Sequence, residues 1–173
     1  MKQEFEDHHE PLSGTKAVDQ IRAVAKAAHI CLFGTAVGQF PLTVRPMAVQ
    51  TVDDAGALWF LSDRRSHTNR DIAADPRVQL LFGNPGDSQY LTLQGTATIS
   101  DDPELKKQHW TPMAKTWFNA GVNDPDLTII RVEPTDGYYW DTKHGKMYSF
   151  LKMTAGALTG QTIDDSVEGQ VRP

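Results

Sequence analysis

The sequence predicts an α+β fold: a mostly antiparallel β-barrel of six to seven strands with flanking helices. Three observations predict it. Seven short segments rich in β-branched and aromatic residues follow one another, a composition that suits a pleated, half-buried surface. Two of the links between them, Asp53, Asp54, Ala55, Gly56 and Asn84, Pro85, Gly86, Asp87, are of the polar kind that returns a chain antiparallel to itself. Helical spacing occurs in few places and does not follow every strand, which argues against a doubly wound α/β sheet.

The first element is a helix. Ala17, Val18, Ile21, Val24, Ala25 and Ala28 recur at helical spacing, with Ser13 or Thr15 as the capping residue. Strands are expected at 29–36, 44–52, 57–62, 78–83, 90–99, 127–134 and 137–141. A two-turn helix falls between the third and fourth strands, stopped by Asp75 before Pro76. Asp102 and Pro103 open another, and a second follows through Met113, Trp117 and Phe118. Trp110 and Trp117 are seven apart and share a helix face, which favours packing on the barrel over a lid. From Thr154 onward the chain is small and polar. The expected organisation is a flexible leader over 1–14, one domain over 15–153, and a polar C-terminal tail or arm over 154–173.

At 173 residues, 39% hydrophobic and 23% charged, the chain is sized and composed for a single folded domain. A net charge of -5 argues against nucleic acid or an anionic membrane as partner. The acidic N-terminus has no secretory hydrophobic stretch, and no apolar run reaches the roughly 18 residues that span a bilayer. The cytoplasm is the expected location. Cys31, the only cysteine, lies in an apolar run and reads as a buried structural thiol. His8 and His9 are adjacent, match no closed metal site, and no metal is expected.

The segment from Leu58 to Val78 carries the chemistry, reading strand, turn, helix, strand. Its turn runs Ser62, Asp63, Arg64, Arg65, Ser66, His67, Thr68. Either Thr68 with Asp71 or Ser66 with Asn69 starts the helix. Free backbone N–H groups and the positive end of the dipole, with hydroxyls, a histidine and Arg64, Arg65 and Arg70 nearby, make a cradle for phosphate. The same residues also describe an ordinary capped helix with solvated arginines.

Ser66, His67, Thr68, then Ile72, then Asp75, Pro76, Arg77, Val78 resemble the segment after the third barrel strand of the pyridoxamine 5′-phosphate oxidase-like proteins. The resemblance implies a split barrel of the FMN-binding type, with Ser66, His67 and Thr68 on the FMN phosphate and Leu61 and Ser62 adjoining the cofactor. Thr68 replaces a usual Lys. The run Val44, Arg45, Pro46, Met47, Ala48, Val49 is similar to the family strand whose Arg reaches the phosphate and whose backbone, here Pro46, Met47 and Ala48, follows the flavin ring. A guanidinium fork suits two phosphate oxygens at once, although Arg45 alone would equally suit a surface ion pair. Tyr139, Trp140, Asp141 resemble the strand end that brings a Trp close to the flavin, most closely in the general stress protein branch. The resemblance also implies a homodimer with flavin between subunits, in which Trp140 serves the flavin of the other chain.

The sequence departs from the vitamin oxidase itself. Gln50 stands where those enzymes carry a Lys, and Lys146 and Tyr148 stand where they carry an Arg-x-His pair. The expected function is therefore an FMN-binding stress protein, FAD being the other candidate flavin, that acts as an oxidoreductase of an unidentified small molecule or electron donor. A non-catalytic flavin store ranks second, and a vitamin oxidase or haem-handling relative lower. No residue is assigned as catalytic: His109 and His144 are the only tempting acid–base candidates, and a lone His is more often structural.

Overall fold

The computed structural model describes residues 9–142 and 166–173. In chain order the elements are β1 (Leu12–Ser13), α1 (Thr15–Ala28), β2 (Ile30–Thr35), β3 (Thr43–Val52), β4 (Leu58–Asp63), α2 (His67–Ala74), β5 (Arg77–Asn84), β6 (Gln89–Ser100), α3 (Pro103–His109), β7 (Leu127–Thr142) and β8 (Ser166–Arg172). Strands β7, β4, β3, β2, β5 and β6 pair in that order, and β6 returns to β7, closing a six-stranded ring of antiparallel pairs. Closure removes the open edges that would otherwise invite aggregation. Outside the ring, β8 extends the far half of β7 antiparallel, and β1 lies parallel to β8.

Period-two alternation fills the barrel. Val78, Leu80 and Phe82 of β5 and Leu91, Leu93 and Ala97 of β6 are buried, and their strand neighbours turn to the outer side. Phe33 and Phe60 meet edge to face at 5.1 Å in the core. Helix α1 buries Ala17, Ile21, Val24 and Ala25 against the same cluster. Cys31 is 1% exposed, and burial pushes its thiol up to about 12, so it is inert packing.

Five local expectations change. The cap of α1 is Gly14, not Ser13 or Thr15; its N–H donates to Arg172 C=O and its φ of 55° is one that glycine adopts without a Cβ penalty. The two last strands of the sequence reading are one strand, β7: Gly95 pairs with Pro134 and Gln94 with Asp136, so Thr135 is an extra, bulged residue rather than a break. A Cβ on Gly95 would lie 2.4 Å from Glu133 O, so the bulge needs glycine opposite. The end of the polar tail, Ser166–Arg172, is a strand paired with β7, and its Val167 and Val171 are buried in the core cluster. The end of the leader runs beside it, Glu10 N donating to Glu168 O before β1 begins.

The fifth change follows α3. Asp102 caps α3 by accepting from Glu104 N at 2.8 Å, as the sequence predicts, but the next segment is a short 3₁₀ turn, Pro112–Thr116. Pro112 has no N–H and holds Thr111 extended. Trp110 and Trp117 consequently do not share a helix face, and Trp117 is 66% exposed.

His109, at the end of α3, is structural. Its ring stacks on Trp59 at 4.1 Å, Nδ1 bonds to Thr51 Oγ1 at 2.7 Å, and Nε2 is buried without a partner. Arg131 covers Trp59 at 5.6 Å, and the indole N–H donates to Asp53. Burial pushes the imidazole below its ordinary 6.5, opposed more weakly by Asp53. Below that pH the unfolded chain takes up a proton that the folded chain refuses, so stability falls as pH drops, by at most about 1.4 kcal/mol per unit, until the folded value is passed. His109→Phe removes this group from the acid limb. Urea unfolding from pH 8 to 5 should show the difference between the two proteins shrinking toward low pH.

No helix among the described residues is long and apolar enough to cross a membrane. Residues 1–8 and 143–165, including His8, Lys143, His144, Lys146, Tyr148 and the start of the polar tail, lie outside the described residues.

Candidate functional site

Strand β4 delivers the chain into the turn that precedes α2, and a set of hydroxyls fixes that turn. Ser66 is the cap, its Oγ accepting from Asn69 N at 3.1 Å, which selects one of the two capping alternatives left open by the sequence. Ser62 Oγ lies 3.1 Å from Ser66 Oγ. Asn69 Nδ2 donates to Thr128 Oγ1, whose hydroxyl donates to Ser62 O. The first turn of α2 is thus tied to β4 and β7 through buried polar groups that are all satisfied. Asp75 ends the helix, as predicted.

Beside α2 lies a cavity of about 450 Å³, lined by Gly38, Gln39, Thr43, Arg45, His67 and Asp71 among others. Arg45, projecting from β3, donates from Nη1 to Thr35 Oγ1 at 2.8 Å and from Nη2 to Asp71 Oδ2 at 3.0 Å. Thr35 Oγ1 donates to the same Asp71 oxygen at 2.6 Å. The Thr35 hydroxyl, and then Arg45, hold the Asp71 carboxyl below the usual range. His67 and Asp71, four apart on α2, flank Arg45 on one helix face. A cationic fork that shares a cavity with His67, the first residue of α2, can hold a small oxyanion.

The other sequence-predicted residues divide. Ser66 and His67 stand at the helix start, while Thr68 and Ser62 are buried and Leu61 is half-buried. Pro46 and Ala48 lie on the outer side of β3, across from Leu32 and Ile30, and Met47 packs against the core. Arg64 and Arg65 do not join the cavity. Arg64 grips Asp101 with both Nη atoms at 2.6 and 2.5 Å, and Arg65 pairs with Asp126 at 2.7 Å, so both brace the loop instead. Gln50 accepts from Thr111 Oγ1 and donates to Ala48 O.

Trp140 is not brought to Arg45 within the chain. Arg45 is in register with Phe33, Leu80, Leu93 and Gly137 on successive strands; Trp140 lies three residues further along β7, opposite Tyr90 and 4.8 Å from Tyr138. The sequence reading missed Thr35 and gave Asp71 only a capping role. Asp71's spacing from His67 was a local signal; nothing local marked Thr35. Among the described residues, no group of three or more His, Cys, Asp or Glu is placed to hold a metal ion.

A closed six-stranded antiparallel barrel with two further strands and three helices is the architecture of the pyridoxamine 5′-phosphate oxidase-like split barrels. The profile described as Pyridoxamine 5'-phosphate oxidase like matches residues 16–164, and the chain belongs to that family. General stress protein 26 of Bacillus subtilis is 31% identical over 87 residues, 48% of this chain and 61% of that protein. The chain spans about three fifths of the length of the curated relatives it matches. Among solved structures, a chain from Jannaschia sp. CCS1 described as a putative general stress protein 26 superposes with a TM-score of 0.76 at 24% identity, covering 92% of this chain and 100% of the other. The general stress FMN/FAD binding protein of Xanthomonas citri superposes with a TM-score of 0.62 at 21% identity, covering 72% and 87%.

Proposed function

We propose that this chain is an FMN-binding stress protein of the oxidoreductase kind, acting on a small molecule yet to be identified. The observation that supports the reading is the meeting of Arg45 with His67, the first residue of α2, at one cavity that Asp71 and Asp75 also line. Arg45 spends two of its five N–H groups on Thr35 and Asp71, which leaves donors for a phosphate. Ser66, His67 and the N–H group of Thr68 would hold the remaining oxygens. The backbone of Pro46, Met47 and Ala48, with Leu61 and Ser62 behind it, would follow the ring. When bound, flavin supplies hydride or single-electron transfer, and the protein supplies orientation and electrostatics. Gln50, engaged with Thr111 and Ala48, supports a role other than vitamin oxidation. FAD is the alternative flavin, in keeping with the name of the Xanthomonas citri relative.

The reading includes a homodimer. Ile30, Leu32 and Val44 are 53%, 46% and 40% exposed on the outer side of neighbouring strands, and Tyr90 and Trp140 continue the apolar surface. A second copy on this face would cover it and bring its own Trp140 toward the flavin.

Titration of the purified protein with FMN, followed by flavin fluorescence and absorbance, tests the proposal; absence of binding overturns it. Anaerobic NADH or NADPH then separates a reductase, whose flavin bleaches, from a store, whose flavin does not. Ser66→Ala with His67→Ala should weaken FMN by about tenfold or more, since charge-assisted bonds are lost, and riboflavin far less. Equal losses would place the phosphate elsewhere.

A further inference from the structure

We infer that Thr35 and Asp71 are positioning residues that aim Arg45 at the phosphate, an inference resting on the phosphate reading above. Three bonds close a triangle: Arg45 to Thr35 at 2.8 Å, Arg45 to Asp71 at 3.0 Å, and Thr35 to Asp71 at 2.6 Å. Its members come from β2, β3 and α2, so it locks the helix at the barrel mouth to the strand that carries the arginine. Thr35 is fully buried and cannot touch a ligand in the cavity, yet its hydroxyl both accepts from Arg45 and donates to Asp71. Arg45 and Asp71 retain 27% and 28% side-chain exposure, so the guanidinium stays open to the cavity while one edge is held.

Arginine carries considerable rotamer freedom, and a phosphate that meets an unanchored arginine must order it on binding. Asp71 takes a single contact from Arg45 rather than the two-pronged grip of a full carboxylate clamp, so it fixes the side chain without exhausting the fork. Thr35 is the better test of this role than Asp71, because it is neutral. Its removal changes the anchoring of Arg45 without changing the field that acts on a phosphate dianion.

The experiment compares Thr35→Val and Thr35→Ser for binding of FMN and of riboflavin, with thermal unfolding of each protein. Valine keeps the β-branched shape that strand β2 accepts, and serine keeps the hydroxyl. The expected result is FMN weakened about five- to tenfold in Thr35→Val, riboflavin unchanged, and wild-type FMN affinity in Thr35→Ser. FMN and riboflavin falling together, or FMN unaffected, overturns the assignment. Asp71→Asn gives a second reading: weaker FMN supports positioning, whereas tighter FMN means that Asp71 competes with the phosphate and overturns it. If the wild-type protein holds riboflavin as tightly as FMN, the phosphate reading itself has failed, a result distinct from either variant outcome.

Discussion

If Arg45 holds the phosphate as proposed, Arg45→Ala is expected to lower FMN affinity by about 100-fold and to leave riboflavin affinity nearly unchanged. Hydrogen bonds to charged groups contribute roughly 1.5–3 kcal/mol each, and a planar fork makes two with one phosphate. The substitution also leaves Asp71 at the cavity without its guanidinium partner, so a carboxylate now faces the phosphate with nothing between them. Both changes oppose the phosphate and neither touches the ring. Fluorescence titration with the two flavins reads the difference directly. A loss shared equally by FMN and riboflavin would instead mean that Arg45 acts through the barrel mouth as a whole.

In the proposed homodimer, Leu32→Asp is expected to raise the dissociation constant by about 100-fold or more and to lower flavin retention with it. Leu32 sits between Pro46 and Leu81 on neighbouring strands, with Ile30 two residues away on the same outer side. A two-fold interface counts one substitution twice and faces like charges or buries them unpaired. On the proposed reading flavin retention follows, because Trp140 of the same chain is out of register with Arg45 and the proposed second wall of the site comes from another copy. Sedimentation of wild type and variant with and without FMN checks both parts. A variant that is monomeric and still binds flavin tightly would separate the cofactor site from the interface.

The barrel was legible because its signal is local. Each strand buries alternate residues, so Val78, Leu80 and Phe82 or Leu91 and Leu93 announce their elements within a few positions. The cap at Asp102 was legible for the same reason and Ser66 as one of two alternatives, since each acts two or three residues away. Pro134 in β7 misled because a proline usually ends a strand, yet a bulge admits it by leaving a residue unpaired. Strand β8 was missed because Val167 and Val171 are its only large apolar residues, too few to stand out in a polar stretch. Its pairing with β7 rests on backbone bonds that carry no side-chain signature.

The proposed phosphate site shows the division most clearly. From the sequence alone came the turn 62–68, the capped helix start and the arginine in β3, because motif spacing and capping chemistry are short-range. Which arginines face the cavity was a tertiary matter. Arg64 and Arg65 are drawn away by Asp101 and Asp126, 37 and 61 residues distant, whereas Arg45 is turned inward by Thr35 and Asp71 from two other elements. A charge in a sequence has no direction until its partners are brought beside it, and here only the closing of the barrel brings them there.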